Sequence, residues 1–316
     1  MKALVTGVAG FIGSHLAEGL LKLGWGVKGI DSFTDYYSRK IKEDNLRNLK
    51  GDKGFSFQEG DLLELNLKKD LEEIDYLFHL AAQPGVRKSW GKNFEYYIRN
   101  NITVTQRLLE KAKGLPLKKV VLASSSSVYG ESPLPMKEDN VLRPISPYGV
   151  TKLASEKLGY LYYRSYKAPV IILRYFTVYG SRQRPDMALH RFIKAILNNE
   201  EITIYGDGNQ TRDFTYVSDT VEATIKAAQC EAGGEIINIG GGAQVTVNET
   251  LKILEEITKK KAKVRYIEKQ KGDMLHTFAD ISKAKRLLDY QPKVKLREGL
   301  KKEVAWLATT KTQNST

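Results

Sequence analysis

The chain has 316 residues, 41% of them hydrophobic and 28% charged, and 50 Lys+Arg against 37 Asp+Glu leave a formal charge of +13. That length suggests two domains, or one large one with an appended lobe, and supports a core without covalent staples; the composition is that of a soluble globular protein and excludes a disordered one. A single cysteine, Cys230, excludes an intramolecular disulfide and a cysteine-rich zinc or iron–sulfur site, and the four histidines show no HExxH spacing, so no metal is expected.

Basic residues are spread along the chain among almost as many acids. This reads as a solvated surface, or a crevice for an anionic small molecule, rather than a nucleic-acid face. The early charge-free stretch Ala3–Ala17 is too short to span a bilayer, so no membrane contact is expected, and one lone cysteine suits a reducing cytoplasm.

In chain order, the apolar run Lys2–Thr6 is followed by Gly7, Gly10 and Gly13 and then by an amphipathic stretch to Lys22. A second apolar run, Gly26–Ile30, ends on Asp31. Further strands are predicted at Phe55–Gln58, Tyr76–His79, Lys119–Ala123 and Val170–Leu173, and helices at Phe94–Lys113 and Pro147–Tyr166. Non-alternating strands separated by helices argue for an α/β fold, a doubly wound parallel sheet buried on both faces. After Arg174 the rhythm loosens into short elements between loops rich in Gly, Asn, Asp and Arg. Thr246 with Glu249 reads as a capping box, Ser218-Asp219 as another helix start, and Thr309–Thr316 as a polar tail. We expect residues 1–175 to form a dinucleotide-binding domain, some later segments returning to it, and residues 176–316 a smaller substrate-binding lobe.

The glycine turn sits between a strand and a helix, as a pyrophosphate site requires. Gly7 permits the tight turn, Gly10 allows backbone N–H groups to approach the phosphates, and Gly13 allows close helix–strand packing. Asp31 at the end of the next strand suits a ribose with free hydroxyls and repels a 2′-phosphate, which favours NAD over NADP. The GxxGxxG spacing is looser than that of simple Rossmann dehydrogenases. Gly60-Asp61-Leu62 and His79-Leu80-Ala81-Ala82 follow the third and fourth strands and fall on the same crevice, with Asp61 toward adenine; His79 itself reads as a core histidine.

Tyr148 and Lys152 form a YxxxK pair near a helix start with Ser146 as N-cap and Pro147 next. At i, i+4 they share a face, and an ammonium beside a phenol lowers its pKa from about 10 toward the range of a general base. Tyr36/Lys40 and Tyr163/Lys167 match the same spacing. Tyr148 is distinguished by the serine run Ser124–Ser127 that ends the fifth strand.

The glycine turn, Asp31, the serine run before Val128-Tyr129-Gly130 and Ser146–Lys152 together resemble the extended short-chain dehydrogenase/reductase family. Within it, the chain is similar over nearly its whole length to nucleotide-sugar epimerases. The resemblance implies a Rossmann-type sheet with a C-terminal substrate lobe. It implies NAD held by Gly7, Gly10, Phe11, Ile12, Gly13, Asp31, Asp61, Leu62, Leu80, Ala81, Ala82, Asn101, Tyr148 and Lys152. It makes Tyr148 the base, Lys152 its electrostatic partner and Ser125 a hydrogen-bond donor to the reacting hydroxyl.

Further segments, among them Gln83–Trp90, Arg174–Gly180 and Arg182–Met187, resemble UDP-glucuronic acid 4-epimerases. That likeness places Ser126, Ser127 and Thr177 around a sugar carboxylate with Arg184 nearby. It turns Arg191 and Arg212 to the pyrophosphate and Asp273 to a ribose hydroxyl, and puts Arg87 at the substrate. Gln270 stands where many relatives carry a phosphate-binding Arg, which shifts that work to Arg191 and Arg212. Dehydratases carry Asp-Glu at Ser126-Ser127 and decarboxylases a Glu at Ser127, and no acid stands there. A UDP-glucose/galactose 4-epimerase, a UDP-glucuronate decarboxylase and a non-catalytic NAD-binding sensor remain as alternatives. Family members often form homodimers through two long helices, for which Phe94–Lys113 and Pro147–Tyr166 are the candidates.

Overall fold

The computed structural model describes residues 1–314. The N-terminal half runs β1 (Lys2–Thr6), α1 (Phe11–Lys22), β2 (Gly26–Asp31), α2 (Arg39–Leu46), β3 (Phe55–Glu59), α3 (Leu67–Glu72) and β4 (Tyr76–His79). It continues through α4 (Phe94–Tyr97), α5 (Val104–Ala112), β5 (Lys119–Ser125), α6 (Pro147–Tyr166) and β6 (Val170–Tyr175). There follow β7 (Thr177–Tyr179), α7 (Ala188–Asn198), β8 (Glu201–Tyr205), β9 (Thr211–Tyr216), α8 (Val217–Gln229) and β10 (Ile236–Ile239). Then come β11 (Gln244–Thr246), α9 (Val247–Thr258), β12 (Lys263–Ile267), α10 (Ser282–Leu288) and α11 (Leu296–Asn314). Helix α11 enters the polar tail expected from Thr309; residues 315–316 of that tail lie outside the described residues.

Seven strands form one parallel sheet in the order β10-β6-β5-β4-β1-β2-β3. The order reverses between β1 and β4, so the crevice at their carboxyl ends is a ligand site by topology. The outermost strand, β10, comes from the later part of the chain. Strands β11, β9 and β7 form a second sheet and β12 pairs with β8. The sheet is buried on both faces because helices cover both: β4 and β6 carry no exposed residue.

Two strands run further than the apolar pattern predicts. β5 includes Ser124 and Ser125, and β6 includes Arg174 and Tyr175. Polar residues continue the strands because their partners are buried with them. Arg174 forms a bidentate ion pair with Glu156 at 2.9 and 2.8 Å, and Ser124 donates to the same carboxylate at 2.5 Å. Both charged side chains are 1% exposed. Tyr129 completes the group, accepting from Arg174 at 2.9 Å and donating to Asn238 at 2.7 Å.

The single helix expected over 94–113 is divided. Ile98–Thr103 winds as a π-helix between α4 and α5. Its Asn101 carbonyl accepts from both Thr105 and Ser155, at 2.6 and 2.8 Å, and the Asn101 side chain reaches out to Gln83. Such turns replace the usual ladder where side chains intrude, often near functional sites. The Thr246/Glu249 capping box is present, with both reciprocal bonds, and α8 begins at Val217, one residue before Ser218.

Glu303 on α11 is fully buried: one carboxylate oxygen accepts from Gly180 N at 3.0 Å and the other has no partner. Burial pushes its carboxyl up to about 8. The folded chain therefore holds a proton that the unfolded chain releases from about 4.5 upward, and stability falls as pH rises through that window. Glu303→Gln keeps an acceptor for Gly180 without the charge. We expect the wild-type melting temperature to drop between pH 5 and 8 more steeply than the variant's, by about 1.4 kcal/mol for each unit of the displaced pKa at most. Parallel pH profiles in thermal melts would show the charge to be immaterial.

Candidate active site

The turn between β1 and α1 builds the first wall of the site. Gly7 has φ +72, and a Cβ there would stand 2.8 Å from the Ala81 nitrogen; one at Gly13 would stand 2.2 Å from the Gly7 carbonyl oxygen. No side chain caps α1, so its first N–H groups remain for a ligand. Together these features make a cradle for a pyrophosphate. Gly7→Ala places a methyl in the Ala81 backbone with a left-handed φ, and we expect dinucleotide binding, read by calorimetry, to be lost.

The crevice above this turn is a cavity of about 220 Å³. Every residue expected to hold NAD lines it except Asn101. Asn101 stands behind the wall, 1% exposed: it accepts from Gln83 N at 2.7 Å and donates to Thr151 at 2.9 Å, while its neighbour Asn100 faces the cavity. Its contribution is to tie the loop after β4 to α6.

Asp31 receives Ala9 N at 3.0 Å and Phe33 N at 2.9 Å, and burial raises its pKa. Each oxygen keeps a lone pair for a ribose hydroxyl. Asp61 is held by Arg99 at 2.7 Å and by Leu63 N at 2.9 Å. His79 is a core residue: its ring nitrogens meet Thr6 at 2.8 Å and Thr105 at 3.1 Å, and burial lowers it to about 3.

Tyr148 stands where this cavity meets a larger one of about 990 Å³ and lines both. Ser146 caps α6 by accepting from Gly149 N at 3.1 Å, with Pro147 at the first turn, which fixes Tyr148 just inside the helix. The Tyr97 ring packs edge-on against it at 6.2 Å. Burial raises the Tyr148 phenol, while the Ser125 hydroxyl, hydrogen-bonded to it, and the Arg184 charge pull the other way. Lys152, the expected electrostatic partner of the phenol, donates from its ammonium to the Ala123 carbonyl at 2.6 Å; burial lowers it to about 8, opposed by Glu156.

All the residues expected to contact a UDP-sugar line the larger cavity. Ser125 Oγ accepts from Ser127 N at 3.1 Å and lies 3.1 Å from Ser127 Oγ, so the serine run curls into a small hydroxyl cluster. Burial disfavours the Arg184 charge, but a two-pronged pair with Asp186 at 3.0 Å more than offsets it. Arg87 pairs with Asp273 at 2.6 Å across the mouth and stacks over the Tyr205 ring at 4.0 Å. Arg212 donates to the Leu275 and Thr211 carbonyls at 3.2 and 2.8 Å.

Among the lining residues that escape the motif reading, four carry polar or charged groups of note. Tyr36, from one of the two decoy YxxxK matches, lines both cavities and donates to Asp186 at 3.3 Å. Tyr37 and Lys42 line the smaller cavity, and Lys269 lines the larger one beside Gln270. The only signal for the first three is that they follow Asp31 closely. Lys269 supplies a positive charge next to the position where the sequence lacks an Arg.

The profile of the protein family described as GDP-mannose 4,6 dehydratase matches residues 4–303. The chain belongs to this extended short-chain dehydrogenase/reductase family. Within the family, it is 48% identical over 311 residues, 98% of both chains, to an uncharacterized UDP-glucose epimerase of Bacillus subtilis. It is 46% identical to the UDP-glucuronate 4-epimerase of Thermodesulfobacterium geofontis, over 96% of this chain and 95% of that one. Among solved structures, the UDP-glucuronic acid 4-epimerase of Bacillus cereus in complex with UDP-glucuronic acid and NAD superposes with a TM-score of 0.96. It is 47% identical and covers 98% of this chain and 100% of its own. The family's name is that of a dehydratase, yet Ser126 and Ser127 replace the acid pair that resemblance assigns to dehydratases.

Proposed function

We propose that the protein is an isomerase that interconverts UDP-glucuronate and UDP-galacturonate at carbon 4 with NAD as cofactor. The observation that carries this is the hydroxyl cluster of Ser125–Ser127, with Thr177 and Arg184 lining the same cavity as Tyr148. NAD fits the cradle described above, held by Gly7–Gly13 at its pyrophosphate and Asp31 at its ribose, and when bound supplies the acceptor and donor of the hydride at carbon 4.

Ser125 hydrogen-bonds the reacting hydroxyl and Tyr148 takes its proton, returning it to the same oxygen after the sugar has turned the opposite face of carbon 4 to the cofactor site. A cavity of about 990 Å³ leaves room for the transient 4-keto sugar to turn over between these events. A 4-keto uronate is a β-keto acid and loses carbon dioxide readily. Neutral donors at Ser126, Ser127 and Thr177, with the Arg184 charge half satisfied by Asp186, hold the carboxylate without driving that loss.

The division of labour is between residues 1–175, which bind NAD, and residues 176–316, which mainly bind the UDP-sugar. The protein works as a homodimer: Tyr96, Ile98, Val150 and Leu161 are 62%, 39%, 46% and 52% exposed on α4, the π-helical turn after it and α6, an apolar area suited to a second copy. Sedimentation should give twice the chain mass. No helix among the described residues is long and apolar enough to cross a membrane, and a nucleotide-sugar substrate with one free cysteine fits a cytoplasmic enzyme.

Incubation with UDP-glucuronate and, separately, UDP-glucose, with products identified by NMR, tests the reading. UDP-galacturonate is the expected product. The name of the Bacillus subtilis relative favours the neutral sugar as second reading, and turnover of UDP-glucose alone would replace the first; a UDP-pentose would indicate decarboxylation.

A further inference from the structure

Helix α6 carries three chemically distinct side chains in one row: Tyr148, Lys152 and Glu156 at i, i+4 and i+8, so that each stands about one turn from the next. The first two belong to the site. The third faces away from both cavities, and neither the NAD cradle nor the sugar cavity requires it. Glu156 is 1% exposed and its carboxylate meets Arg174 twice and Ser124 once. Replacing a buried ion pair with apolar side chains is often neutral or stabilising, so fold stability alone is a weak reason for this one.

The geometry points to Glu156, held in place by Arg174, as a positioning residue that keeps Lys152 protonated and fixes the Ser124 end of β5 beneath it. This rests on the reading of Tyr148 and Lys152 given above. Three contacts converge on the carboxyl end of β5. Lys152 donates to the Ala123 carbonyl, Ser124 donates to Glu156, and Ser125 begins the hydroxyl cluster. The carboxylate is thus the anion that opposes burial at Lys152. Without it, the ammonium is lost at still lower pH, and with it the charge that a phenolate at Tyr148 needs.

The other titratable groups around Lys152 do not take its place. His79 on β4 is neutral well below pH 7, and Tyr97 on α4, Tyr129 after β5 and Tyr175 on β6 are all raised and therefore uncharged. Arg174 on β6 is paired with Glu156 itself and Arg184 in the loop after β7 with Asp186, and neither is an anion. Glu156 is the one anion acting on this lysine.

The test uses full-length protein with carbon-13 at the lysine ε position, the Lys152 signal being assigned by its loss in Lys152→Met. Glu156→Gln keeps the shape and the Ser124 bond. We expect its Lys152 titration to move down by about one pH unit or more, and the alkaline limb of kcat for UDP-glucuronate to move with it, roughly a fivefold loss at pH 8 with KM unchanged. Glu156→Asp should restore both in part. If the single variant does not fold, Glu156→Gln is read on an Arg174→Gln background, where Lys152 should titrate lower than in Arg174→Gln alone. A folded variant whose Lys152 titrates as in wild type overturns the proposal. Absence of turnover in the wild-type protein would instead count against the epimerase reading and leave the titration to decide this one.

Discussion

Tyr148→Phe should lower epimerisation of UDP-glucuronate by about 10³-fold or more while leaving the melting temperature and NAD affinity close to wild type. The phenol stands on the wall common to both cavities with the Ser125 hydroxyl hydrogen-bonded to it, and loss of a general base typically costs about 10² to 10⁴ in rate. The ring itself packs against Tyr97 at 6.2 Å, and phenylalanine preserves that contact. Stopped assays over hours, with calorimetry for NAD, check both halves. Turnover within tenfold of wild type would mean that the proton leaves by another route, and Tyr36, which lines the same two cavities, would be the next residue to replace.

Ser127→Glu should have an effect of similar size on the charged sugar but not on the neutral one. Ser127 Oγ sits 3.1 Å from Ser125 Oγ, within the hydroxyl cluster that lines the larger cavity. A carboxylate there would face the proposed position of the substrate carboxylate, and two unit charges about 4 Å apart at an effective dielectric of about 20 repel by about 4 kcal/mol. That converts to roughly a thousandfold in kcat/KM for UDP-glucuronate. UDP-glucose carries no such charge, so any activity on it should change far less. Equal losses on both sugars would show that the cluster holds the ring generally and does not read the acid. A gain of UDP-pentose would show that the added acid assists decarboxylation.

Much of this site was legible in the sequence because its parts are local. The glycine turn, Asp31, the serine run and the Tyr148–Lys152 pair each combine short spacing with a strand end or helix start, and the parallel sheet gathers strand ends in one place. What was not legible depends on contacts between distant segments. Nothing near Arg174 in sequence announces its pair with Glu156, 18 residues away, nor that Ser124 and Arg174 would prolong two strands. The contacts of Asn101 were hidden for the same reason: its partner Gln83 lies 18 residues back, and the π-helical turn that sets its direction has no composition signal. The burial of Lys152 was not legible either, because spacing gives a helix face but not depth.

That π-helical turn has a consequence for how the chain tolerates changes in length. Each residue of an α-helix advances it by about 100°, and a π-turn accommodates one residue more per turn than the helix around it. Deleting a single residue within Ile98–Thr103 would let α4 and α5 fuse into one regular helix. Everything upstream would then rotate by about a quarter turn relative to α5. Asn101 could not meet Gln83 and Thr151 while Thr105 and Ser155 kept their bonds to its carbonyl. One codon's loss in this half-buried segment would therefore unseat the wall of the NAD crevice, whereas a codon lost from the turn at Gly51, which has open space beside it, lies away from the site.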